Sequence, residues 1–207
     1  MTLTWYGHAC FLIETAQGSV IFDPYSPASV PGLHLPALAA DAVICSHGHR
    51  DHNFAAGVRL TGHAGAYKLT QVHCWHDAEG GARRGENLIS IIEAEGLRLA
   101  HMGDIGHMPT DAQLAEIGRV DVLLIPVGGY YTIDARTAHE VVRALSPRVT
   151  VPMHYRGAGF GYDEIAPVDE FLALSDNVRR FDTNVLTLPL GDAPITAALK
   201  CPVCAEG

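Results

Sequence analysis

Ser46-His47-Gly48-His49-Arg50-Asp51-His52 sets four groups able to bind metal within six residues. The stretch follows directly on the apolar run Ala42-Val43-Ile44-Cys45. That run reads as a short buried strand, because it is apolar, partly β-branched and closed by a glycine-bearing turn. Gly48, between the two imidazoles, lets the backbone turn tightly so that neighbouring side chains can face one centre. Neutral imidazole suits zinc, and a carboxylate adds a hard oxygen and negative charge. A surface loop has no packing reason to be this rich in histidine, so the stretch reads as a metal site. The bland alternative is an accidental polar loop, or a site that kept its residues and lost its metal.

Around this stretch the composition is that of a folded protein. The chain has 207 residues, 48% of them hydrophobic, enough for a sizeable core in one domain spanning residues 1–207. A formal charge of −9 disfavours bulk nucleic-acid binding, which needs a basic surface. A pair of metal ions would still make one cleft locally positive. The N-terminal Met1-Thr2-Leu3-Thr4-Trp5 lacks the basic region and apolar core of a signal peptide. No apolar run approaches the roughly 20 residues of a membrane helix. Five cysteines, an odd number with three in apparent strands, read as reduced buried thiols, which makes the cytoplasm the expected location. The expected partner is a small-molecule substrate, not nucleic acid, and a homo-oligomer is compatible with the sequence.

Cys10 to Thr15 and Val20 to Asp23, around Gly18-Ser19, read as a hairpin, and residues 24–40 as a proline-rich surface loop. Residues 53–68 carry no clear pattern. Val72 to Trp75 reads as a strand, and Asn87 to Ala94 with Leu97 to Met102 as a second hairpin. Thr110-Asp111 suits the start of a short helix that ends at Gly118. Val120 to Val127 is nearly unbroken in its apolar character, as a strand buried on both faces would be. Asp134 to Leu145 reads as a helix stopped by Ser146-Pro147, Val149 to Val151 as a strand, and Val168 to Leu174 as a helix. The class is mixed α/β with helices covering sheets.

Polar clusters fall where these strands end: the histidine stretch, His76-Asp77, Gly103-Asp104, Val127-Gly128-Gly129 and Met153-His154. Strands running side by side in one sense would gather them at a single rim, where a rigid scaffold presents catalytic groups.

His-x-His-x-Asp-His after a strand, then a lone His, then Gly-Asp, then a late His-Tyr resembles the metallo-β-lactamase-fold hydrolases over nearly the whole chain. Gly7-His8-Ala9-Cys10-Phe11-Leu12-Ile13-Glu14, and Gly85-Glu86-Asn87 through His101-Met102-Gly103-Asp104-Ile105-Gly106-His107, look like one branch of them. That branch holds the ascorbate-6-phosphate lactonases, the phospholipase D that cleaves N-acyl ethanolamine phospholipids, and many other metal-dependent hydrolases. The resemblance implies an αββα sandwich of two mixed β-sheets flanked by helices, with the site at one edge between the sheets. It also implies two divalent metal ions, zinc (Zn2+) by default, with manganese or iron also suiting such ligands. Carried over by position, His47, His49 and His76 hold the first ion, Asp51, His52 and His154 the second, and Asp104 bridges both. Asp51 then also orients a metal-bound hydroxide, the nucleophile such a centre supplies at neutral pH.

His76 is preferred to His73 because it stands at the strand end beside Asp77 and a glycine turn. His8 and His107 have two readings: catalytic groups that bind substrate or give a proton to the leaving group, or structural hydrogen-bonders. His101 reads as packed under the site, and His34, His63 and His139 as ordinary. Asp23 resembles the family's aspartate that hydrogen-bonds into the histidine loop, against a plain turn aspartate before Pro24. Arg50, Arg83, Arg84 and Arg156 lie beside the clusters and together point towards an anionic substrate. Tyr130, Tyr131 and Tyr155 read equally as pocket or core residues. Cys201-Pro202-Val203-Cys204 offers two of the four ligands a structural zinc needs, and reads as a tail.

The expected function is cleavage of an ester, lactone or phosphodiester bond by metal-bound hydroxide. A nuclease or nucleic-acid phosphodiesterase is the alternative enzyme, disfavoured by the acidic, compact chain. Iron–oxygen redox chemistry is disfavoured by having both His47 and His49 in place. A binding protein without turnover is the rival from another class.

Overall fold

The computed structural model describes residues 1–191 and 193–202. In chain order the strands are β1 (Thr2–Trp5), β2 (Phe11–Thr15), β3 (Gly18–Phe22), β4 (Leu38–Ala40), β5 (Ala42–Ile44), β6 (Val58–Leu60) and β7 (Lys68–Trp75). They continue as β8 (Glu86–Ala94), β9 (Leu97–His101), β10 (Val122–Pro126), β11 (Val149–Met153), β12 (Val178–Arg180), β13 (Val185–Thr187) and β14 (Ile195–Ala198). Helices are α1 (Asp111–Ile117), α2 (Ala135–Leu145) and the single turn α3 (Asp169–Leu172).

Two sheets carry the fold. One runs β13-β1-β2-β3-β5 and the other β12-β14-β11-β10-β9-β8-β7, with β4-β6 as a separate ribbon. Both sheets are mixed: β5 joins β3 in parallel at the edge of an otherwise antiparallel sheet. In the larger sheet β7, β8 and β9 alternate in sense, and β10, β11 and β14 then run parallel to β9. Leu3, Trp5, Phe11 and Phe22 of the small sheet and Ile89, Ile91 and Leu124 of the large one are all buried in one continuous core.

Every residue of β10 and β11 is buried, as a two-sided parallel strand requires. Helix α2 packs against β10 and α3, and α1 against β7. Thr110 accepts from the Gln113 amide while Gln113 reaches back, a capping box that ends at Gly118 with φ +64°. Asp134 caps α2 by accepting from the Thr137 amide.

The hairpins, α1, α2 and the β10 run stand where the sequence puts them. Helical cover is thinner than expected, since the segment read as a helix over 168–174 makes only the short α3. The proline-rich loop and the unpatterned 53–68 region supply β4 and β6, which pair with each other in parallel. Strand β7 begins at Lys68, four residues early, because Lys68-Leu69-Thr70-Gln71 pairs with β8 as an exposed edge whose polar residues show no alternation. Among the described residues no helix is long and apolar enough to cross a membrane.

Candidate metal centre

The sense of the strands brings the polar ends together. β7, β9, β10 and β11 run the same way in the large sheet, so His76, Asp104, Gly128 and His154 leave it at one rim. The histidine stretch arrives from β5 in the other sheet and is tied across, the Leu88 amide donating to Ser46 O at 2.9 Å.

Asp23 holds that stretch in place. Its buried carboxylate accepts from the Ser46 amide and the Ser46 hydroxyl, both at 2.6 Å, and lies 2.8 Å from His52 Nδ1. Having given its proton to Asp23, Ser46 Oγ is left to accept from His47 Nδ1, 2.9 Å away. Both rings are therefore gripped by Nδ1, which turns Nε2 inward. His8, Asp23 and His154 have φ of +51°, +43° and +53°. Non-glycine residues in this region store strain and cluster at functional sites.

Asp104 is the point of convergence. Its amide donates to Asn87 Oδ1 at 2.8 Å, and its Oδ2 lies 3.1 Å from His52 Nε2, 3.1 Å from His154 Nε2 and 3.4 Å from His76 Nε2. Three sets have ligand atoms within 4.8 Å of one another: His47, His49 and His76; His47, His52 and Asp104; and His8, Asp51, His52 and His154. Within them His47 Nε2, His52 Nε2, both nitrogens of His154, and Asp104 Oδ1 are buried without a hydrogen-bond partner. Unpaired buried polar atoms are costly and rare. Several facing one point, all of ligand type, fit a divalent cation.

Burial drives His47 and His8 down to about 3, so both rings are neutral, with lone pairs to give, at ordinary pH. Burial also opposes charge on His52, but Asp104 and Asp23 outweigh it and hold its pKa well above the usual value. For Asp104, burial is outweighed by His154 and His52, and the carboxyl sits well below its usual range. The pocket thus carries balanced negative charge that a metal ion can take over from a proton.

The other sequence readings divide. His8 stands in the centre, with Nε2 3.3 Å from Asp51 Oδ2 and its ring 4.0 Å from that of His154. His107 does not: Nε2 accepts from the Trp75 amide at 3.2 Å and Nδ1 lies 2.8 Å from Met108 O. Both nitrogens are engaged by main chain, which favours the structural of its two readings. His73 is exposed, near Glu86 at 3.5 Å, and belongs to none of the three sets. His101 stacks on Phe22 and bonds Ala9 O and the Gly103 amide beneath the site.

Of the four arginines, Arg84 alone lines the cleft. Arg50 is exposed, Arg83 pairs with Glu79, and Arg156 donates to Ile165 O at 2.7 Å. Tyr155 packs on Trp5 in the core. Cys10, Cys45 and Cys74 form no disulfide, and burial pushes Cys45 up to about 12 and Cys74 to about 11. Cys204 lies outside the described residues.

A cleft of about 270 Å3 opens on His49, Asp51, His76 and Asp104, walled by Arg84, Tyr131 and Tyr162. Tyr162, absent from the sequence reading, lies 3.2 Å from Asp51 Oδ2 and 2.7 Å from Ser29 O through its hydroxyl. Its signal is the glycine-rich Gly157-Ala158-Gly159-Phe160-Gly161 just after His154-Tyr155, a loop with conformational freedom to return a side chain to the site.

Gly106 sets how close the elements approach. A Cβ there would stand 2.3 Å from Asp77 N and 2.4 Å from His76 C, both backbone atoms. Gly106→Ala is expected to displace His76, lowering stability by about 1–3 kcal/mol and metal affinity by roughly tenfold or more. Thermal melts and elemental analysis of the variant check both.

Residues 2–154 match the family described as a beta-lactamase superfamily domain. A UPF0173 metal-dependent hydrolase of Anaeromyxobacter sp. (strain K) is 33% identical over 202 residues, covering 74% of this chain and 74% of that protein. One from Archaeoglobus fulgidus is 29% identical over 75% of this chain and 83% of its own length. The crystal structure of a metallo-beta-lactamase superfamily protein from Thermotoga maritima, assigned as a Zn-dependent hydrolase, is 34% identical. It superposes with a TM-score of 0.74 over 96% of this chain and 99% of that one. The chain belongs to the metallo-β-lactamase superfamily. Within it, its relatives make it a metal-dependent hydrolase.

Proposed function

We propose that the centre binds two divalent ions and cleaves an ester, lactone or phosphodiester bond of a small, anionic substrate. The observation that carries this is the convergence of buried imidazole nitrogens from three segments on the Asp104 carboxylate. His47, His49 and His76 form one ligand set, Asp51, His52 and His154 the other, and Asp104 stands between them. The grouping of ligand atoms supports that division and adds His8 beside the second set. When bound, such ions polarise a carbonyl or phosphoryl oxygen and supply a nucleophile from water at neutral pH.

The chain's own residues do the rest. Asp51 presents a carboxylate oxygen to the cleft, fixed from behind by His8 and from the side by Tyr162. Tyr131 and Tyr162 line the cleft, whose size suits a metabolite. Zinc is the first choice, being the metal named for the Thermotoga relative.

Metal content per chain, by elemental mass spectrometry on untagged protein purified without chelator, tests the proposal. About two equivalents of zinc or manganese are expected. Stripping the metal is expected to end hydrolysis of lactone, ester and phosphodiester panels and to lower Tm by about 5–10 °C, since binding stabilises the folded state alone. A chain that stays empty and refuses added metal overturns it; iron as the resident metal would favour redox chemistry.

A further inference from the structure

We infer that Arg84 is the specificity-determining residue of the cleft, binding an oxyanion group (carboxylate or phosphate) that the substrate carries away from the bond being broken. The second half of that statement rests on the hydrolase reading above; the anion site itself does not.

Three features single out Arg84. The first is a built mounting. Asp77, buried beside His76, accepts from the amides of Glu79, Gly81, Arg83 and Arg84 at 2.9, 2.8, 2.9 and 2.7 Å. His76 N then donates to Gly85 O at 3.0 Å, closing the loop onto the strand end. A ligand candidate and an arginine are thus fixed on one short rigid segment, the arrangement that holds a bound group in a constant relation to a reacting one.

The second feature is spare capacity. Of five guanidinium N–H donors, one is spent on Tyr130 O at 3.0 Å, while the group lies 5.6 Å over the Tyr131 ring. Among the described residues no carboxylate lies within ion-pair distance of Arg84, whereas Arg83, Arg98 and Arg180 each pair with one. A half-buried guanidinium without a counter-anion is completed by a ligand that brings one, in the bidentate geometry arginine favours.

The third is position. Arg84 faces the same cleft as His49, Asp51 and Asp104, and Tyr131 and Tyr162, 5.5 Å apart edge to face, line it beside the guanidinium. The competing role is a brace for the Tyr130–Tyr131 turn through that single bond.

The test uses the zinc-loaded full chain and its Arg84→Ala and Arg84→Lys variants. Calorimetric titrations with inorganic phosphate and, separately, succinate report which oxyanion is preferred. Arg84→Ala is expected to weaken the preferred one by about tenfold or more, with Arg84→Lys in between. In parallel, the kcat/KM ratio of mono-4-nitrophenyl succinate to 4-nitrophenyl butyrate is expected to fall by about the same factor in Arg84→Ala. Unchanged anion affinity and an unchanged ratio would overturn the inference and leave the brace, while hydrolysis itself still upheld the hydrolase reading. Arg84-dependent anion binding in a protein that cleaves neither ester would keep the anion site and count against the hydrolase.

Discussion

Asp104→Ala is expected to lower metal-dependent hydrolysis by about a thousandfold or more while leaving the fold formed. The loss follows from position: a single carboxylate oxygen lies within 3.4 Å of imidazole nitrogens from three separate segments. Without it the imidazoles of His52, His76 and His154 lose the anion they share. The fold survives because Asp104 is tied into the scaffold through its amide, to Asn87 Oδ1, and that bond is kept by alanine. His52 in the variant still has Asp23 on Nδ1, so one charge partner remains. His49→Ala is expected to act on the first ligand set alone, also ending hydrolysis, with less effect on stability because His49 is exposed, its ring meets those of His47 and His76, and its main-chain bond to the His52 amide is kept by alanine. Metal content, thermal melts and turnover of an activated ester, measured together, check the pair. A variant that kept full activity would remove its residue from the mechanism.

How much of this could be read from sequence depends on chain distance. The histidine stretch declares itself because its ligands are neighbours, and Asp104 and His154 because each follows an apolar strand whose end is sharply polar. His76 is separable from His73 by its place at the strand end beside Asp77 and a glycine turn. His8 was ambiguous because its partner Asp51 is 43 residues away. Tyr162 was missed because it reaches Asp51 across 111 residues from a glycine loop with no periodicity. Four arginines beside ligand clusters look alike in sequence, and what sets Arg84 apart, a place on the cleft wall with no carboxylate in ion-pair range among the described residues, is invisible to spacing. His107 keeps two readings in sequence for the same reason: proximity to Gly-Asp does not say that two main-chain groups hold its ring. Short strands such as β4, β6 and β12 exist through pairing with remote partners, which propensity over three residues cannot signal.

Asp23→Ala is expected to cost about 3–5 kcal/mol of stability and about 10- to 100-fold in metal affinity, though Asp23 belongs to none of the three ligand sets. The wild-type carboxylate answers the Ser46 amide, the Ser46 hydroxyl and His52 Nδ1 in a fully buried position. Alanine leaves a buried amide unpaired, frees the hydroxyl that fixes His47, and releases the His52 ring to rotate. Asp23→Asn separates the two effects. Its amide oxygen can accept from Ser46 N and keep the loop closed, but it carries no charge to hold His52. Stability should then recover more than affinity does. Burial raises the Asp23 carboxyl, yet the His52 hydrogen bond and charge outweigh it and leave the pKa below the usual value. Its contribution in the metal-free protein is therefore full above the ordinary carboxylate range and fades only as pH falls through the lowered value. Melts of metal-free protein from pH 7 downwards should show that acid-sensitive component in the wild type and its absence in Asp23→Ala. An affinity fully restored in Asp23→Asn would instead mean that loop closure, and not the charge on His52, is what Asp23 supplies to the metal centre.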